Sequence, residues 1–194
     1  MTDIIAAVLT VSDRSSRGER EDLSGPLLQR LVADLGANVV SHSIVPDERA
    51  QIKRALIELA DRQAVDLIFT TGGTGPAPRD VTPEATRAVI EREMPGLVEW
   101  MRVEGARRFT PFAVLSRAVA GIRGKTLVIN LPGNPRAVQE CMEIVGPLVP
   151  VAVALAKGEA PPDGINDPSW CRKFGTGRSE PDSDRSRRSQ HSVM

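Results

Sequence analysis

The segment Thr70-Thr71-Gly72-Gly73-Thr74-Gly75, continuing through Pro76-Ala77-Pro78-Arg79-Asp80-Val81-Thr82-Pro83-Glu84-Ala85-Thr86, concentrates residues able to hold a phosphorylated ligand. Three glycines after an apolar run leave backbone N–H groups uncovered, so a bulky anion can approach closely. For a Gly-Gly pair a simple tight turn is the alternative reading. Here the loop leads into Thr82-Pro83, a helix start with a hydroxyl as expected cap and proline at the first helical position. Such a start adds about 0.3–1 kcal/mol of attraction for phosphate. No Gly-Lys-Ser/Thr closes this loop and no GxGxxG is present, so neither the P-loop nor the dinucleotide fingerprint applies.

Asp80 is not needed as a cap if Thr82 serves. A carboxylate beside a phosphate loop repels the ligand unless a cation intervenes, and magnesium commonly rests on one or two carboxylates plus substrate phosphates. Asp47, after Ile44-Val45-Pro46, either caps the helix beginning at Glu48 or joins Asp80 in a metal seat. Ser12-Asp13-Arg14 opens a loop whose hydroxyls and guanidinium groups suit phosphate, although a solvated surface loop explains it equally. Ser116-Arg117 and Asn130-Leu131-Pro132-Gly133-Asn134-Pro135 are ambiguous taken alone, and Asn134 can simply cap the helix starting at Pro135.

Short β-branched runs and helix-period stretches must position these loops. Strands are expected at Ile4–Val11, 38–45, 66–70 and Thr126–Leu131, and helices at 25–35, 48–62, from Thr82, 97–108 and 135–157. Stripes such as Leu27, Leu28, Leu31, Val32 and Leu35 mark the buried helix faces. The alternation predicts an α/β fold, a three-layer αβα sandwich with a mostly parallel, right-handed sheet. Ligands bind beyond the carboxyl ends of such strands, so the residues after Val11, Val45, Thr70 and Leu131 are expected to share one crevice.

Composition narrows the function classes. Lys plus Arg and Asp plus Glu number 25 each, so no broad attraction to nucleic acid or anionic membrane is expected. The absence of Tyr implies an aliphatic core. Cys141 lies on an apolar stripe and Cys171 in a polar stretch, and two distant histidines define no zinc site. No basic residue precedes Ile4–Val11, as a secretory signal would require, and Gly146, Pro147 and Pro150 interrupt the apolar run near the end, so a soluble cytoplasmic protein with no membrane partner is expected. Residues 1–158 read as one domain, and 159–194, rich in Pro, Gly, Ser, Asp and Arg, as a mostly disordered tail.

Taken together, Thr10–Arg14, Val45–Glu48, Thr70–Thr86, Glu93–Gly96, Leu115–Arg117 and Leu131–Pro135 resemble the molybdopterin adenylyltransferase family, in that family's order. The glycine loop with Arg-Asp-Val-Thr-Pro-Glu-Ala-Thr is the most specific of these matches. The resemblance implies an αβα molybdopterin-binding-like fold, usually trimeric, that adenylylates the phosphate of molybdopterin with ATP and magnesium and releases pyrophosphate. It implies Asp47 and Asp80 as the essential acidic pair, catalytic and metal-holding. Thr71, Gly72, Gly73, Thr74, Gly75, Ser116, Pro132, Gly133 and Asn134 match its substrate-binding elements, with Ser12 and Asp13 counted among them. A hand-over of product to a molybdenum-inserting enzyme is also implied. The final helical region lacks the longer insertion that some members carry before it, which touches oligomer contacts more than the site.

Three other readings compete. A non-catalytic molybdopterin carrier would have no use for a magnesium seat. A module of the molybdenum-inserting enzymes would be expected within a far longer chain. An unrelated nucleotide-binding domain is disfavoured by the missing fingerprints.

Overall fold

In the computed structural model, which describes residues 4–161, six strands form one sheet in the order β2-β1-β3-β6-β5-β4. They are β1 (Ile4–Val11), β2 (Ala37–Val45), β3 (Leu67–Thr71), β4 (Arg92–Glu93), β5 (Ala120–Arg123) and β6 (Thr126–Leu131). β2, β1, β3 and β6 run parallel, while β5 and β4 add an antiparallel edge. β3 and β6 are buried along their whole length, as central parallel strands covered on both faces must be.

The helices are α1 (Asp13–Ser16), α2 (Ser24–Asp34), α3 (Arg49–Ile57), α4 (Thr82–Arg87), α5 (Pro95–Arg108), α6 (Pro135–Val145) and α7 (Val149–Lys157). Alternate strand residues feed two cores. Ala6, Val8, Phe69 and Ile129 meet Leu28 and Val32 of α2, Met101 of α5, Val138 of α6 and Val153 of α7. Ala7, Leu9, Ile68 and Val128 meet Ile52 and Leu56 of α3 and Ala85 of α4. Helices thus cover both faces, and the expected three layers are present.

Several expectations need correction. Residues 58–62, read as the end of one α-helix, form a π-helical turn. The helix from Thr82 stops at Arg87, and its N-cap is Val81, without a side-chain cap bond. The Thr82 hydroxyl instead donates to the carbonyl of Gly72 at 2.9 Å. The first loop contains the short α1, and β4 and β5 were not foreseen, because two- and four-residue strands are too short to show a period. The tail expected from residue 159 lies outside the described residues from 162 onward, and Trp170, Cys171 and His191 with it.

The run Pro135–Lys157 is long and apolar enough to cross a membrane by length and composition. Its Val138, Met142, Val145, Val149 and Val153 are instead buried in the sheet-facing core. Cys141 also packs there, and burial pushes its thiol up to about 12, so it behaves as a small apolar residue.

Candidate active site

Register makes the site. Val11 pairs with Val45, Thr10 with Thr71, and Thr71 with Leu131, so four strand ends stand at one level. α2 packs on one face and α3 on the other, which puts the topological switch between β1 and β3. That is where an open α/β sheet opens a crevice.

The glycine loop is shaped by contacts that exclude side chains. Gly72 has φ +109°, and a Cβ there would sit 2.2 Å from the carbonyl oxygen of Val11. Gly73 has φ +62°, and its Cβ would lie 2.4 Å from Thr82 Oγ1 and 3.0 Å from Asp47 Oδ1. The turn after β6 packs against it: Gly72 N–H donates to Leu131 O at 3.1 Å, and Thr71 Oγ1 to Pro132 O at 2.8 Å. The amides of Gly73, Thr74 and Gly75 find no protein acceptor among the described residues, so they are available to an anion.

Two cavities meet at this loop. The first, about 350 Å³, is polar and lies between the ends of β1 and β3; Ser12, Asp22, Asp47, Thr71, Gly72 and Arg20 are among its walls. The second, about 490 Å³, opens between α5 and α6 and is mainly apolar, with Val98, Met101, Phe112, Leu115 and Ile144 joined by Thr74, Gly75, Ser116 and Pro132. Gly73, Asp80, Gly133 and Asn134 belong to both. Every candidate site residue named from the sequence except Asp13 therefore lines one cavity or the other.

Asp13 has a different place. Its carboxylate accepts two bonds from Arg79, both at 2.9 Å, and one from the amide of Asp47 at 3.0 Å. In return the Asp13 amide donates to Asp47 Oδ2 at 2.8 Å. This reciprocal pair joins the ends of β1 and β2, and the Arg79 bonds hold the Asp13 carboxyl below its ordinary range.

The capping alternative for Asp47 fails: Glu48 is the N-cap of α3, and no side-chain cap bond forms. Burial pushes the Asp47 carboxyl up, and the charges of Asp13 and Asp80 add to this against the bond from the Asp13 amide. Asp80 also caps no helix; its Oδ2 accepts from the Ala77 amide at 3.0 Å. Asn134 and Ser12 do cap, accepting from Arg136 and Ala137 and from Ser15 respectively.

Two carboxylates on one wall are hard oxygen donors suited to magnesium. Among the described residues no cluster of three or more His, Cys, Asp or Glu side chains could hold a metal. A cation held by this pair would need its remaining ligands from substrate oxygens and water.

Sequence reasoning missed two features. Asp22 Oδ1 accepts from the amides of Ser24 and Gly25, while its Oδ2 bonds Thr10 Oγ1 at 2.6 Å and lies 3.2 Å from His42 Nε2. An acid three residues before Gly25 was a readable cap signal. Arg117, seen only as a neighbour of Ser116, reaches the glycine loop and Glu84. No local signal announces that contact, since its partners lie 33 to 42 residues away.

Fold and site define an α/β enzyme domain in which a polar cavity abuts an apolar one. The family described as "Probable molybdopterin binding domain" matches residues 7–151. A protein of Helicobacter pylori (strain J99) named molybdopterin adenylyltransferase is 46% identical over 160 residues, 81% of this chain and 90% of that one. Its namesake in Escherichia coli (strain K12) is 42% identical over 145 residues, 74% of each. Among solved structures, the molybdopterin biosynthesis enzyme MoaB from Thermus thermophilus matches with a TM-score of 0.77 and 48% identity, covering 82% of this chain and 99% of that one. The chain belongs to the molybdopterin adenylyltransferase family of molybdenum cofactor biosynthesis.

Proposed function

We propose that this chain transfers AMP from ATP to the phosphate of molybdopterin. A phosphate oxygen of molybdopterin attacks the α-phosphorus of ATP, the bond from that phosphorus to the bridging oxygen breaks, and pyrophosphate leaves. The observation that carries this reading is the meeting of a polar and an apolar cavity at Gly73, Asp80, Gly133 and Asn134. Nucleotide phosphates suit the polar cavity, beside Asp47, Ser12 and the uncommitted Gly73 amide. The pterin suits the apolar one, oriented by Ser116 and the Pro132–Asn134 turn.

Both reactants are polyanions, so the chain's task is to align them and offset their charge. Asp47 and Asp80 would hold magnesium, which when bound neutralises phosphate charge. The Gly73 amide donates to nucleotide phosphate, and those of Thr74 and Gly75, on the apolar cavity, to the phosphate of molybdopterin. The reading brings with it a cytoplasmic location, hand-over of product to a molybdenum-inserting enzyme, and a homotrimer. Exposed Val103 and Val114, on α5 and the turn after it and outside both cavities, support an assembly surface.

The test is Asp80→Asn. Its side chain can still accept from Ala77, so folding and molybdopterin binding are expected to persist while AMP transfer falls by about 10²-fold or more. The measurement is formation of adenylylated molybdopterin and pyrophosphate by purified wild type and variant. Near-normal turnover in the variant removes Asp80 from the mechanism and with it this reading.

A further inference from the structure

We infer that Arg117 is a positioning residue that sets the place of Asp80 and of the wall the two cavities share; its kinetic consequences rest on the adenylyl-transfer reading. Arg117 lines neither cavity of the candidate site. Yet its donors converge on the segment between them. Nε donates to Gly75 O at 2.8 Å, Nη2 donates to Asp80 O, and the backbone amide donates to Thr74 O at 2.9 Å. Nη1 donates to the Glu84 carboxylate, which orients the guanidinium from the α4 side.

Residues 74–80 thus form a loop closed from one side by Arg117 and from the other by Asp80 itself, whose Oδ2 holds the Ala77 amide at 3.0 Å. There is little slack inside it, because a Cβ on Gly75 would stand 2.8 Å from Asp80 Oδ2. A planar fork serving several acceptors in fixed directions suits this duty, and an ammonium on a flexible stem does not. The residue before it, Ser116, lines the apolar cavity. That cavity's wall at Ser116 and the backbone of Asp80 are therefore linked through one residue.

Arg117→Lys keeps the charge and loses the fork. Hydrogen exchange at the Ala77 amide is expected to quicken about 10-fold or more, with β1 and β3 amides protected as in wild type. In AMP-transfer assays kcat is expected to fall about 10–100-fold, with KM for molybdopterin within about twofold and half-saturating magnesium raised. Glu84→Gln, which leaves the loop bonds and an acceptor for Nη1 but removes the opposing charge, should move both readouts in the same direction by less, and serves if the lysine variant does not fold.

Unchanged exchange at Ala77 overturns the inference, as does a lowered Tm with kcat and magnesium dependence intact. A raised KM for molybdopterin with kcat preserved also overturns it, since Arg117 would then act as a substrate ligand. If wild type transfers no AMP, the functional reading fails, while the exchange measurement still decides what Arg117 holds.

Discussion

At the residue scale, Asp47 shows how a site opposes stability. Its carboxylate is partly buried and faces the charges of Asp13 and Asp80, so its folded-state pKa lies above the unfolded value. The unfolded chain therefore loses this proton first as pH rises, and native stability drops through that interval. Asp47→Asn removes the charge but keeps an oxygen for the Asp13 amide. We expect it to raise Tm at pH 7 by about 1–4 °C, discounted for solvent screening, with the gain vanishing below about pH 4. The same variant should lose AMP transfer. A thermal-unfolding series across pH checks this, and a lower Tm for the variant at neutral pH contradicts it. Asp47, Asp80 and the glycines were visible as chemical types in the sequence. Whether Asp47 capped a helix or faced a cavity was not, because that turns on contacts with Asp13, 34 residues away.

At the element scale, the glycine loop is held by β1, β6 and α4 rather than by its own turn. Gly72 sits under the Val11 carbonyl, and Thr82 from the start of α4 donates to its oxygen. Gly72→Ala combines a positive φ with a Cβ 2.2 Å from that carbonyl oxygen, so backbone must shift. A loss of about 1–3 kcal/mol is expected, read as a lower urea midpoint, together with loss of AMP transfer. A midpoint equal to wild type would show that the loop can relax. The strand and helix pattern was legible here wherever an element was long enough to show a period, as in β1 and α2. The π-helical end after α3 and the two-residue β4 were not, since neighbouring elements determine them. Thr82 looked like a cap because Thr before Pro has the right local chemistry; tertiary contact gave its hydroxyl another acceptor.

At the scale of the whole molecule, exposed apolar side chains bear on assembly. Val103 and Val114, which line neither cavity, are each more than half exposed on α5 and the turn after it. Burying such a surface between copies is favourable. Sedimentation is expected to give the mass of three copies of the 20.9 kDa chain, with Val103→Asp lowering it. A single-copy mass for wild type would sink the trimer. Residue order alone was enough for the α/β class, the convergence of strand ends and the family, because alternating periods and contiguous motifs are local properties of the chain. It could not separate one crevice into two cavities, send Asp13 to Arg79, or set Arg117 across the glycine loop. Those depend on which distant groups come within about 3 Å, and hydrogen bonding at that range is decided only once the sheet has brought its strand ends into register.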